Sequence, residues 1–167
     1  EEYDLLSEIF LDLVTEHTII TSPGNHDHDF SAYKGKTREI LLNSSVNDVD
    51  DGVIEHVTKG QFEYFEFVNK VTPTSPSEEN VLSKRYDIDP SVSVRSLNTA
   101  WCSKLNEVGG EIIFPVDKIV DKNKDSEVNI SIMHHPLAWY EPNNQKQLRA
   151  KLRETSDIII TGHEHVS

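Results

Sequence analysis

With 167 residues the chain is long enough for one domain with a sizeable core and too short for a second independent one. Its 16 Lys and Arg against 29 Asp and Glu leave a formal net charge of −13, which disfavours extended, sequence-independent binding to a nucleic-acid backbone but not a single phosphate held by metal ions. Cys102 is the single cysteine, so no disulfide framework exists, and no apolar run approaches the roughly 20 residues that cross a bilayer; the expectation is a cytoplasmic protein without a membrane-spanning segment.

From Tyr3 to Glu16, the residues Leu5, Leu6, Ile9, Phe10, Leu13 and Val14 recur at steps of three and four, which predicts a one-faced helix. It feeds the apolar run His17-Thr18-Ile19-Ile20-Thr21, which reads as a buried parallel strand. Ser22-Pro23-Gly24-Asn25-His26-Asp27 then forms a tight loop at the carboxyl end of that strand, the side of open α/β sheets where ligands bind. Residues 30–42 read as partly helical around Tyr33, Ile40 and Leu41, and Asn43 to Gly52 as an acidic surface turn.

A second amphipathic helix is predicted over Gln61 to Asn69, with Phe62, Phe65 and Val68 on its core face. Thr72 to Asn80, broken by Pro73 and Pro76, reads as a loop. Val81 to Ile88 alternates imperfectly, and Val92 to Thr99 alternates well enough for a strand. The stretch 31–90 as a whole reads as insertion-like within one domain covering 1–167.

Gly109-Gly110 marks a turn before a short strand from Glu111 to Val116. Two more apolar strands follow: Val128 to Met133 runs into His134-His135-Pro136, and Asp157 to Thr161 runs into Gly162-His163-Glu164-His165. Between them, Asn144 to Glu154 with Leu148 and Leu152 is a short helix that makes a right-handed crossover between parallel strands. The alternation of helix and strand, with polar residues at strand exits, implies an α/β fold.

Imidazole nitrogen together with amide or carboxylate oxygen suits a borderline divalent ion such as zinc, manganese or iron. Asn25, His134, His163 and His165 are the candidate ligands, because all three loops that carry them leave apolar strands on one edge of what reads as one sheet. His163 and His165 are two apart in a turn, a spacing that suits two adjacent ions better than one, and Gly162 is expected to permit the turn's backbone. His28 and Asp29 read either as substrate contacts or as a solvated loop; His135 neighbours a ligand and faces either the substrate or the interior; Trp139 and Tyr140 either line the cleft or pack over the His134 loop.

Gly24-Asn25-His26-Asp27, His134 after an apolar strand, and Gly162-His163-Glu164-His165 resemble the last three motifs of the calcineurin-like metallophosphoesterase superfamily, in family order. Leu97 to Trp101 and His134 to Trp139 are also similar to the bacterial branch whose phosphoesterase domain sits in larger multidomain proteins, so additional domains of the same polypeptide are implied. The resemblance implies a two-sheet α/β sandwich, incomplete at both ends in this chain, with two divalent ions (Mn, Fe or Zn) at its edge. By position Asn25, His134 and His163 would ligate one ion, and His165 would contribute to the other. His26 would stabilise the phosphate or protonate the leaving oxygen, with Asp27 orienting it, as a carboxylate fixes a histidine tautomer; His28 and His135 are the further substrate-proximal positions. Two ions about 4 Å apart polarise phosphoryl oxygens and activate water for in-line attack on phosphorus.

That implies a metal-dependent phosphoester hydrolase, whether phosphatase or phosphodiesterase; a nuclease in a defence or repair assembly is the rival within the class, and an inactive regulatory or scaffold domain the rival outside it. The family's two earlier motifs, Asp-x-His and Gly-Asp-x-x-Asp, do not occur here. The chain begins Glu1-Glu2-Tyr3 with no initiator Met, so those motifs are expected upstream, and a signal peptide there is compatible with the sequence.

Overall fold

A computed structural model describes residues 2–31, 42 and 49–164. Helix α1 (Glu2–Val14) is followed by a single 3-10 turn at Asn25–Asp27, then α2 (Asp51–Thr58) and α3 (Phe62–Val71). Strands β1 (Glu78–Glu79), β2 (Ser83–Asp89) and β3 (Val92–Leu97) form an antiparallel meander, and β4 (Val128–Met133), α4 (Pro142–Thr155) and β5 (Ile158–Thr161) complete the chain. The five strands lie in sequence order in one mixed sheet, with β3, β4 and β5 parallel. The α/β class and the crossover helix between β4 and β5 agree with the sequence reading.

Register decides what leaves the sheet together. Leu97 pairs with Met133, and Met133 with Thr161, so Asn98, His134 and Gly162 emerge side by side at one carboxyl edge. Parallel pairing also keeps partners on the same face. One face, carrying Ser93, Arg95, Asn129 and Ser131, is buried. Arg95 donates there to Ser131 Oγ, Val120 O, Thr155 O, Thr155 Oγ1 and Ser156 Oγ, all neutral acceptors. Burial, chiefly, lowers its guanidinium to about 10. The opposite face is apolar and half open: Ile158 and Ile160 are 48% and 53% exposed, next to Ile130 and Ile132. An apolar, half-open face is what a second sheet packs against in a sandwich.

The main core joins Ile54 and Val57 of α2, Leu82, Leu97, Phe114 and Met133 around the sheet, and Leu148 and Leu152 of α4. A second cluster packs Tyr64, Phe67, Val68 and Val71 of α3 against Tyr3, Phe10 and Val14 of α1. Residues of the stretch expected to be insertion-like, Ile54, Val57 and Leu82, are thus built into the main core.

Four expectations need correction. The run His17 to Thr21 is not a strand: Thr18, Ile19 and Ile20 pair with no neighbour among the described residues, and apolar character alone does not make a ladder. On α3 the core face is Tyr64, Phe67, Val68 and Val71, while Phe62 is 66% exposed; an i, i+3, i+4, i+7 stripe overrides the aromatic at the helix start. The acidic turn runs into a helix, because Asp50 caps α2 by accepting from Val53 N at 2.8 Å. Glu111 to Val116 forms only an isolated bridge, Ile112 to Tyr140. The helical reading of 30–42 lies almost wholly outside the described residues.

Candidate metal centre

At the carboxyl edge, β4 and β5 deliver His134 and His163, tied by a Gly162 N–H donated to His134 O at 3.0 Å. Asn25 reaches the same point from its 3-10 turn. His134 Nε2 lies 3.0 Å from Asn25 Oδ1 and 2.9 Å from His163 Nδ1. One nitrogen holds either a proton or a lone pair, so hydrogen bonding alone satisfies only one of these two approaches well. A cation beside His134 Nε2 would satisfy both approaches, since ligand atoms about 2.1 Å from an ion lie on the order of 3 Å from one another. Burial, and then the neighbouring charges of His135 and His163, bring the His134 imidazole down to about 4. It is therefore neutral at physiological pH, the form in which histidine binds metal.

Each ligand is held by a different local device. Gly24 lies flat on the His134 ring: a Cβ there would meet ring atoms at 2.9 Å. Ser22 Oγ donates to Leu97 O at 2.8 Å, and Ser96 Oγ donates to Thr21 O at 2.6 Å, so side chains, not a ladder, dock the incoming segment on β3. Asp27 closes the turn, one oxygen accepting from Gly24 N at 2.7 Å and the other from the Tyr3 hydroxyl of α1. In this structure Asp27 thus acts on the loop backbone and on α1 rather than on the His26 ring. Burial first, and then its bond to Asp27, raises the Tyr3 hydroxyl well above the usual phenol range, so it stays protonated and donates.

His163 has a φ of 70°, a left-handed conformation uncommon outside glycine, and Glu164 N–H donates across it to Gly162 O at 2.9 Å. This is a γ-turn of the rare, strained hand, and it swings Nδ1 towards His134. The sequence reading assigned the special backbone to Gly162, but the positive φ belongs to His163. Gly162 instead borders His134, where a Cβ would make ordinary contact at 3.6 Å. Trp139 stands edge to face on His163 at 4.1 Å between centroids and donates from Nε1 to Glu164 Oε1 at 3.3 Å. Trp139 is therefore a cover over His163, and Tyr140 is core, 1% exposed.

The remaining predicted residues fall in three places. His26 is exposed at the rim of a cleft lined by Tyr3, Asp27, His28, Asp29, Gly60 and Glu63. His28 is buried, not in a solvated loop; its ring lies against Gly60, where a Cβ would come within 2.4 Å, and sits at a tilt beside Phe30. His135 is fully buried. It falls within the same group of close ligand-type atoms as His134 and His163, but its nitrogens already meet Thr99 Oγ1 at 3.2 Å and Glu107 Oε2 at 3.1 Å. His165 lies outside the described residues. Glu107 is the site neighbour that spacing arguments miss; it meets His135 through space, from a loop without a motif.

The carboxyl edge of this mixed α/β sheet brings His134 within hydrogen-bonding distance of Asn25 and His163, and comparison with known proteins identifies the family. The family model for calcineurin-like phosphoesterases matches residues 2–167, and the chain belongs to that family. It is 23% identical over 176 aligned residues to an uncharacterized metallophosphoesterase-like protein, YydB of Bacillus subtilis (strain 168). That match covers 92% of this chain and 34% of the relative, so the chain spans about a third of the length of the curated relative. No solved structure matches the chain. Among the described residues no helix is long and apolar enough to cross a membrane.

Proposed function

We propose that the chain is the ligand-bearing part of a metal-dependent phosphoester hydrolase. The observation that carries this reading is the convergence of Asn25 Oδ1, His134 Nε2 and His163 Nδ1 within 3.0 Å of their neighbours. Asn25, His134 and His163 hold one divalent ion, and His165 belongs to a second, with manganese, iron or zinc as the candidates. When bound, such ions polarise the phosphoryl oxygens and lower the pKa of attacking water.

The chain's own residues perform the other tasks. His26, on the exposed turn beside Asn25, serves as the proton donor to the leaving oxygen. Asp27 and Tyr3 hold the turn that carries it. Trp139 shields one side of His163 from solvent. Asp27, Asp29 and Glu63 line the cleft beside His26, so an unaccompanied phosphate is repelled, and affinity for a phosphoester depends on the cations. The substrate is a phosphoester, mono or diester; the charge of −13 weighs against duplex nucleic acid. A cytoplasmic setting and further domains of the same polypeptide complete the reading.

The test is hydrolysis of p-nitrophenyl phosphate and bis(p-nitrophenyl) phosphate by the full-length protein with manganese, zinc or iron. Turnover that needs the metal and falls in His26→Ala with metal content kept is the expected result. No turnover with any of these metals points instead to a scaffold or regulatory domain.

A further inference from the structure

Glu107 is a carboxylate buried with little apparent return. Its side chain is 6% exposed, and it borders an apolar pocket walled by Trp101, Val108, Ile112 and Ile113. Taking a carboxylate out of water is costly and rarely stabilises a fold by itself. His135 Nε2 lies 3.1 Å from Glu107 Oε2, and the His135 side chain is fully buried; a hydrogen bond from Ser103 also favours the charged carboxylate. Burial would raise the Glu107 carboxyl, but the hydrogen bond and charge of His135 reverse this and hold it below the usual carboxylate range.

His135 is fixed at its other end too. Its backbone N–H donates to Thr99 Oγ1 at 3.1 Å, and its Nδ1 lies 3.2 Å from the same hydroxyl. A ring pinned at both nitrogens has one orientation. That ring is 4.8 Å between centroids from His134, edge to face, and 4.8 Å from His163. It underlies both histidines of the candidate metal centre, while Trp139 packs on His163 from another side. His163, held in a strained left-handed turn, keeps its aim only while these rings confine it.

We propose that Glu107 is a positioning residue for the metal centre, acting through the His135 ring to fix where His134 and His163 point. This rests on the metal-site reading above. Hydrogen-bond acceptance at Oε2 is the property required, which glutamine retains and alanine does not.

The test is cobalt(II) titration of the protein and of Glu107→Gln and Glu107→Ala, read by dissociation constant and by the visible ligand-field spectrum, with thermal unfolding of the metal-free proteins alongside. Cobalt spectra report ligand geometry, which a general loss of stability does not move. The expected result is a wild-type spectrum and near wild-type affinity for Glu107→Gln, and a changed spectrum with roughly tenfold or greater loss of affinity for Glu107→Ala, the order seen when residues behind metal ligands are removed. Identical spectra and affinities in all three proteins overturn the proposal and leave the metal site standing. Glutamine as damaging as alanine overturns the hydrogen-bond role. If the wild type itself takes up no cobalt, the metal-site reading fails, and this inference with it.

Discussion

Two regions bring candidate ligands to His134 Nε2 by opposite means. His134 and His163 leave adjacent parallel strands whose register, Met133 to Thr161, places their exits side by side. Asn25 arrives on a segment with no ladder of its own, docked by Ser22 and Ser96 and closed by Asp27. The first arrangement inherits its position from the sheet. The second depends on a few side-chain hydrogen bonds and on one glycine, so single substitutions should separate the two.

The largest effect is expected from the ligands on the strand side. His163→Ala removes one of three converging donors, and calorimetric titration with zinc or manganese should show affinity falling by more than the roughly 10–100-fold that supporting residues cost. On the loop side, Gly24→Ala pushes a methyl to 2.9 Å from the His134 ring, separating Asn25 from His134. A loss on the order of tenfold in the same titration is the prediction. Gly162→Ala, with 3.6 Å available, should bind metal nearly as the parent does. Equal effects of the two glycine variants would contradict the contrast between them.

Stability sharpens the same comparison. Gly60→Ala forces a methyl into the buried His28 ring behind the loop, and denaturant unfolding should register a loss of about 1–3 kcal/mol, as overpacking costs. Tyr3→Phe removes the donor that ties α1 to Asp27; about 1 kcal/mol is expected, together with faster amide exchange at Gly24 and no change around β4 and β5. Protonation acts on the centre itself. Folding lowers His134 from 6.5 to about 4, so the folded state binds fewer protons than the unfolded one in that window. Its contribution is present above pH 6.5 and is lost as pH falls towards 4. Metal-free unfolding midpoints that stay flat across that range would count against the burial of His134.

Much of the strand side was legible in the sequence. Val128 to Met133 and Asp157 to Thr161 are apolar runs with a 3.6-period helix between them, and such a pattern has one economical solution, a parallel pair with a crossover. The polar residues after each run then had to leave at one edge. The loop side was less legible, because a strand is defined by its neighbour and His17 to Thr21 has none in the described residues. Asp50 as a cap for α2 was hidden inside an acidic stretch that reads equally well as a turn.

The structure brings Asn25 and His163, both singled out by their motifs, to His134, but how each is held was not legible. Gly24 against His134, and Glu107 beneath His135, are contacts between residues far apart in the chain. The left-handed backbone falls on His163 rather than on the adjacent glycine, although glycine has the stronger propensity for it. The sequence thus reveals donor chemistry well and positioning poorly, since positioning depends on what packs behind each donor.

The most direct test of the shared site is zinc titration followed by the nitrogen-15 resonances of the histidine side chains. The account predicts that Nε2 of His134 and Nδ1 of His163 shift on binding, while Nε2 of His135 stays with Glu107. Movement of His135 nitrogens as a ligand, or no shift at His134 and His163 in zinc-loaded protein, would contradict it.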